Sequence, residues 1–315
     1  MNKTKIIAVG GSTASGKSAL AIALAKRLDG EIVSCDSMAI YREMDIGTAK
    51  PTSDELLRVT HHMVDVCDPT VNFSAADWVK EAAEAIDDIT SRGKLPIICG
   101  GTGMYLDSLL RPVSFSKSEG VDTNEALREE LRLYAEENGN EALHERLIKV
   151  DVDSAATIHP NNVKRVIRAL EIYLTTGKTK TEWDKESKMG DSPYDCRIVT
   201  LDYESREILY SRIDKRVDIM IRDGLEKEVR SLYEAGKLPD GSTAAQGIGY
   251  KEMLLHVMGE ISLEAAAELI KKNTRNYAKR QITWFKRYGD ISVIPDEGGT
   301  MKSVDDLADE VIARL

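Results

Sequence analysis

Gly11 to Ser18 reads GSTASGKS, the GxxxxGK(S/T) spacing of a phosphate-gripping P-loop. In such a loop the backbone N–H groups and the positive end of the following helix surround phosphate oxygens. Lys17 neutralises their charge, and the Ser18 hydroxyl can hold Mg²⁺. Gly11, Ser12, Thr13, Ala14, Ser15, Gly16, Lys17 and Ser18 are therefore all expected at a diphosphate or triphosphate. The loop binds phosphates without naming the reaction. Phosphoryl transfer, its commonest use, also asks for an Asp after an apolar strand. Asp36 follows Ile32 to Cys35, and Asp202 follows Ile198 to Leu201. Asp36 is the stronger candidate, because strands of a parallel sheet bring their carboxyl ends to one edge; a turn role suits Asp202 better.

Other segments bear polar groups on the same chemistry. GGTGMY at Gly100 to Tyr105 follows another apolar strand, so its backbone can approach a ligand and Thr102 can offer a hydroxyl there. Arg212 and Arg216 stand four apart on one helix face, with Asp214, Lys215 and Asp218 nearby, a set that surface salt bridging would equally explain. His61 and His62 lack a helical HxxxH spacing or a Cys/His set, and read as structural.

The elements that must position these residues follow from periodicity. Lys5 to Val9 reads as a strand, Lys17 to Leu28 as a helix stopped by Gly30, and Glu31 to Cys35 as a second strand, a βαβ unit implying a parallel sheet. Ser74 to Arg92 repeats the theme with a capping box at Ser74 and Asp77, a stop at Gly93, and a strand at Leu95 to Cys99. From about Val121 to Thr176 the pattern is wholly helical, with helices expected at Asn124–Glu137, Glu141–Ile148 and Asn162–Thr176. A strand at Arg197 to Leu201 returns to the sheet. Helical pattern then covers Ser205 to Ala235, broken near Gly224, and Ser262 to Tyr288; a strand at Ile291 to Ile294 and a final helix end the chain. The fold class expected is α/β, a P-loop NTPase-like parallel sheet flanked by helices, with a core at 1–116 and 196–315 and a mostly helical insertion at 117–195.

The 315 residues are 42% hydrophobic and carry a net charge of −10, which argues against nonspecific nucleic-acid binding by the whole surface. Local faces differ. Between Lys271 and Tyr288 stand seven Lys or Arg and no acid, with Lys272, Arg275, Lys279 and Lys286 on one helix face and Ile270, Tyr277 and Trp284 on another. Lys164, Arg165 and Arg168 form a second cluster. Two basic clusters beside a phosphate site favour a polyanionic partner such as RNA or DNA. No apolar run nears the roughly 20 residues of a bilayer span, so a cytoplasmic protein with no membrane contact is expected. The four cysteines, Cys35, Cys67, Cys99 and Cys196, are scattered and read as reduced, buried thiols.

Taken in order, these segments resemble the tRNA dimethylallyltransferase (tRNA isopentenyl-pyrophosphate transferase) family over nearly the whole chain. GSTASGKS, DSMAIYREMDIGTAKP at Asp36 to Pro51, HH at His61, DP at Asp68 and GGTGMY carry the likeness. So do IHPNNVKRVIRALEIY at Ile158 to Tyr173, RIDKRVD at Arg212 to Asp218, QGIGYKE at Gln246 to Glu252 and KRQITWFK at Lys279 to Lys286. DIGTAKP and KRQITWF are the most specific. The resemblance implies transfer of a dimethylallyl group from dimethylallyl diphosphate to N6 of the adenosine 3′ to the anticodon of tRNA. It implies a P-loop, Mg²⁺ and Arg216 on the leaving diphosphate, Asp36 as general base, and Thr102 positioning the reactants, in a monomeric enzyme.

The tRNA contacts it implies are Asp36, Ser37, Met38, Ala39, Thr102, Arg128, the run Lys164, Arg165, Val166, Ile167 and Arg168, and the run Gln246, Gly247, Ile248, Gly249, Tyr250 and Lys251. The last run is Lys279, Arg280, Gln281, Ile282, Thr283, Trp284, Phe285 and Lys286. A base inside the anticodon loop would be flipped out to react. Ser12 stands where the family often has Pro, a mild departure; Ala39 stands where many members have Gln, which bears on fine target recognition. A small-molecule or nucleotide kinase and a noncatalytic RNA-binding P-loop protein remain the alternatives from residues alone.

Overall fold

Along β1 (Thr4–Gly11) successive side chains point to opposite faces, so Ile6 and Ala8 enter one apolar cluster while Ile7 and Val9 enter another. A strand buried on both faces needs helices on both sides. The computed structural model describes residues 3–111, 124–187, 191–288 and 290–315. It adds β2 (Gly30–Ser34), β3 (His61–His62), β4 (Leu95–Gly100), β5 (Tyr194–Leu201) and β6 (Ile291–Val293) in the sheet order β3-β2-β4-β1-β5-β6. Every neighbouring pair is parallel, as the βαβ reading requires.

In chain order the helices are α1 (Lys17–Arg27), α2 (Ser53–Arg58), α3 (Ala75–Ser91) and α4 (Gly103–Leu110); α5 (Glu125–Asn138), α6 (Asn140–Val150), α7 (Val152–Thr157), α8 (Val163–Thr176) and α9 (Lys180–Ser187); then α10 (Arg206–Arg222), α11 (Leu225–Glu234), α12 (Tyr250–Val257), α13 (Leu263–Phe285) and α14 (Val304–Ile312). Leu20 and Leu24 of α1 and Val311 of α14 pack on one face of the sheet. Trp78 and Ile86 of α3, Leu106 of α4 and Phe285 of α13 pack on the other. No helix among the described residues is long and apolar enough to cross a membrane.

The chain divides into two compact units, residues 1–110 with 194–315 and residues 111–193. The first boundary expected from sequence, 116/117, and the start of the helical pattern at Val121 lie outside the described residues. The second, 195/196, falls inside β5. The second unit has its own core of Leu131, Leu143, Leu147, Val166 and Leu170.

Local signals behave as their chemistry dictates, with instructive exceptions. Ser74 and Asp77 form a capping box, and Gly93 takes φ 75° behind α3. Gly224, at φ 106°, separates α10 from α11. Gly30 does not stop α1: Asp29 takes the left-handed turn (φ 47°), and Gly30 opens β2 because a Cβ there would stand 2.7 Å from the Leu95 carbonyl. The short helices α7, α9 and α12 carry too few turns to reveal a period in the sequence.

Candidate active site

β1 delivers the chain to Ser12, and the loop closes over Ala14 (φ 60°) and Gly16 (φ 96°) before α1 starts at Lys17. Lys17 Nζ donates to the Ser12 carbonyl at 3.2 Å. Burial lowers its pKa, and Arg216 pushes the same way while Asp36 opposes. The loop is braced from outside: Arg212 Nε donates to the Ala14 carbonyl at 2.9 Å and the Tyr203 hydroxyl to the Ser15 carbonyl at 3.1 Å. Ser18 is exposed at the helix start.

Asp36 lies just past β2. Its Oδ1 accepts the N–H groups of Met38 (2.9 Å) and Ala39 (3.3 Å), an Asx-type turn that fixes the carboxylate. Thr102 lies just past β4, where its N–H donates to the Cys35 carbonyl at 3.1 Å and its Oγ1 accepts from the Ser37 N–H at 3.1 Å. The two strand ends touch so closely that a Cβ on Gly100 would stand 2.0 Å from the Cys35 carbonyl oxygen. Gly101 and Gly103 make room instead for Gln281 and Trp284 of α13. The expected convergence of P-loop, Asp36 and Thr102 at one sheet edge is thus observed. Asp202 has a structural role other than the turn expected, tying the end of β5 to β6: its N–H donates to the Val293 carbonyl and its Oδ2 accepts from Ser292.

Thr13, Asp36, Arg216, Gly47, Ile248 and Tyr277 are among the residues enclosing a cavity of about 430 Å³. A second depression holds Lys17, Ser18, Arg212 and Lys215, and Ala14 and Arg216 line both. Burial lowers the pKa of Arg216, Asp36 raises it and Arg212 lowers it; a guanidinium nevertheless stays cationic. The site therefore joins an anion-binding loop, a fixed carboxylate and a half-buried cation.

The RIDKRVD acids have a different task. Asp214 pairs with Arg275 (2.5 Å) and Asp218 with Lys271 (2.8 Å), docking α10 on α13. Arg275 is therefore tied to α10 and not displayed with the exposed Lys272, Lys279 and Lys286. Arg287 pairs with Asp107. His62 bonds Glu31 and His61 bonds the Val59 carbonyl, both structural roles.

Placement separates the residues expected at RNA. Lys164, Arg165, Gln246, Lys279, Arg280, Thr283 and Lys286 are exposed, and Ser37, Met38, Ile248, Lys251, Ile282 and Trp284 partly so. Ala39, Val166, Ile167, Tyr250, Gln281 and Phe285 are buried, and their side chains pack inside these segments. A contiguous helical run necessarily turns some residues inward. Gly247 and Gly249 bring backbone to the cavity wall. In the second unit Arg128 (2.9 Å) and Arg168 (2.6 Å) both bond the fully buried Glu171. Sequence reading missed one cavity residue and one residue behind the cavity wall. Tyr277, placed by sequence on a helix face with Ile270 and Trp284, lines the cavity, where burial and Asp36 push its pKa up to about 12; Glu228, which bonds the backbone of the cavity residue Gly47, gave no motif signal at all.

A parallel sheet with a phosphate loop after β1, and an Asp, a Thr and an Arg gathered beside it, defines a P-loop-type α/β protein. The IPP transferase family model matches residues 39–288. The chain belongs to that family. It is 49% identical over 289 residues to the tRNA dimethylallyltransferase of Geobacter metallireducens, covering 92% of each chain. It is 48% identical over 285 residues to that of Caldanaerobacter subterraneus subsp. tengcongensis, covering 90% of this chain and 89% of the other. Among solved structures it resembles the tRNA delta(2)-isopentenylpyrophosphate transferase of Staphylococcus epidermidis (TM-score 0.70, 42% identity, 99% of this chain and 98% of that one). It also resembles a eukaryotic dimethylallyltransferase acting on tRNA (TM-score 0.78, 33% identity, 92% of this chain and 74% of that one).

Proposed function

We propose that the chain transfers the dimethylallyl group of dimethylallyl diphosphate to N6 of the adenosine 3′ to the anticodon of tRNA, releasing diphosphate. The observation that carries this reading is the shared cavity, in which Asp36 and Arg216 stand beside the P-loop residues Thr13 and Ala14. As the allylic C–O bond breaks, its electron pair leaves with the diphosphate. The loop N–H groups, Lys17 and Arg216 stabilise that growing charge most at the transition state. The N6 nitrogen forms the new C–N bond and gives up a proton to Asp36, whose Oδ1 is held by Met38 and Ala39, so that Oδ2 takes it. Thr102, bonded to Ser37, keeps the Asp36 loop against β4.

Mg²⁺ suits this loop, since it would neutralise diphosphate charge. No group of three or more His, Cys, Asp or Glu side chains gathers among the described residues, so its ligands would be the Ser18 hydroxyl, diphosphate oxygens and water. The exposed Lys279, Arg280 and Lys286 fit the tRNA phosphates. Incubating the protein with Mg²⁺, dimethylallyl diphosphate and unmodified tRNA should add one C5 unit to an adenosine, read by nucleoside mass spectrometry. No addition across suitable tRNAs, or ATP turnover on a small acceptor in its place, would reject the proposal.

A further inference from the structure

DIGTAKP at Asp45 to Pro51, one of the two most specific segments, has no part in the chemistry above. The fold wraps its start around one carboxylate. Glu228, on α11, accepts at Oε2 from the N–H groups of Asp45 (3.0 Å) and Ile46 (2.7 Å), and at Oε1 from the N–H of Gly47 (3.2 Å) and the hydroxyl of Tyr250 (2.6 Å). Only an ionised carboxylate offers acceptor capacity for four donors with no donor of its own. Burial, followed by the Glu228 charge, raises the Tyr250 pKa, so that phenol stays a neutral donor.

Glu228 thus ties together two segments some 200 residues apart. Gly47 lies against the Tyr250 ring, where a Cβ would stand 2.5 Å from it. The second segment is anchored again by buried Glu252, which accepts from the Gly249 N–H at 2.8 Å and from Asn273 at 2.7 Å. Gly47 and Thr48 from one segment and Gly247 to Gly249 from the other line the 430 Å³ cavity, whereas Glu228 does not. Lys17 and Ser18 line the adjoining depression, joined to this cavity through Ala14 and Arg216. With diphosphate over Lys17, the wall that Glu228 assembles is on the acceptor side.

We infer that Glu228 is a positioning residue for the acceptor: it assembles the wall of Gly47, Thr48 and Gly247 to Gly249 against which the tRNA base seats. The inference rests on the prenyl-transfer reading and gives the DIGT loop its role. Glu228→Gln keeps the size but turns an NH₂ donor toward a backbone N–H or the Tyr250 hydroxyl. It should lower kcat/KM for tRNA roughly tenfold or more while the affinity for dimethylallyl diphosphate stays within about twofold. Tyr250→Phe, which removes one of the four donors, should show the same selective loss at about two- to threefold. The double variant should lose less than the product of the two, because both act on one network.

A Glu228→Gln protein with kcat/KM for tRNA within twofold of native, or with an equal loss of diphosphate-substrate affinity, would overturn the inference. Should that variant not fold, an unchanged kcat/KM for tRNA in Tyr250→Phe overturns it equally. A native protein that prenylates tRNA while either result holds leaves the proposed function standing; a native protein that prenylates nothing removes both.

Discussion

Gln281 on α13 donates from Nε2 to the Gly101 carbonyl at 3.0 Å. The same side chain accepts the Thr13 N–H at Oε1 (2.8 Å), so one buried amide clamps the P-loop to the end of β4. The basic helix is therefore also a structural brace for the phosphate site. Gln281→Ala takes the partner from the part-buried Thr13 N–H, which costs at most about 1–3 kcal/mol, while the Gly101 carbonyl keeps the Gly103 N–H at 3.2 Å. Thermal melting should show the destabilisation, and titration should show weaker diphosphate binding, with the salt slope of tRNA binding unchanged.

Gly100→Ala should be worse. Its Cβ would meet the Cys35 carbonyl oxygen at 2.0 Å, a backbone atom that cannot yield without moving Asp36. The expected outcome is a soluble but inactive protein or none at all, read by yield and single-turnover rate. Gly139→Ala, where the nearest atom is a side-chain oxygen at 3.9 Å, should cost backbone strain alone, on the order of 1–3 kcal/mol, because φ 91° with ψ 158° is a conformation that essentially only glycine adopts.

The parallel core was legible in the sequence because its strands are short apolar runs punctuated by glycine, and the P-loop announces its own geometry. Asp36 and Thr102 were legible from their places after strands. Glu228 and Tyr277 were not: each lies on an amphipathic helix whose pattern says only which face is wet, and their partners come from remote segments. The pairing of Arg275 with Asp214 was hidden for the same reason, since charge counting along α13 cannot see α10.

That pairing divides the basic residues by experiment. Lys279→Ala with Arg280→Ala removes two exposed cations and should weaken tRNA binding, flattening its log–log salt dependence by about 1–2 units while sparing diphosphate affinity. Arg275→Ala should instead lower the melting temperature and leave the salt slope alone. A Lys279→Ala, Arg280→Ala protein that loses diphosphate affinity as much as tRNA affinity would contradict a separate RNA face.

At the opposite edge of β2, buried Glu31 is held by Arg92, by His62 and by Lys94, and its carboxyl is pushed down to about 2, chiefly by hydrogen bonds from Arg92. A depressed carboxyl stabilises the fold above its unfolded value of 4.5 and loses that contribution as pH falls toward about 2. Glu31→Gln should therefore melt several degrees below native at pH 7, with the gap closing between about pH 4.5 and 2. A gap that stays constant across that range would contradict the assignment.

The account stands most directly on Asp36, the carboxylate that shares a cavity with Arg216 and the P-loop residues Thr13 and Ala14. The measurement is the single-turnover rate of C–N bond formation between dimethylallyl diphosphate and unmodified tRNA, native against Asp36→Asn, with both substrate affinities determined in parallel. The rate should fall roughly 100- to 10,000-fold while tRNA and diphosphate-substrate affinities change by no more than several-fold. An Asp36→Asn protein that prenylates tRNA at the native rate would contradict the account.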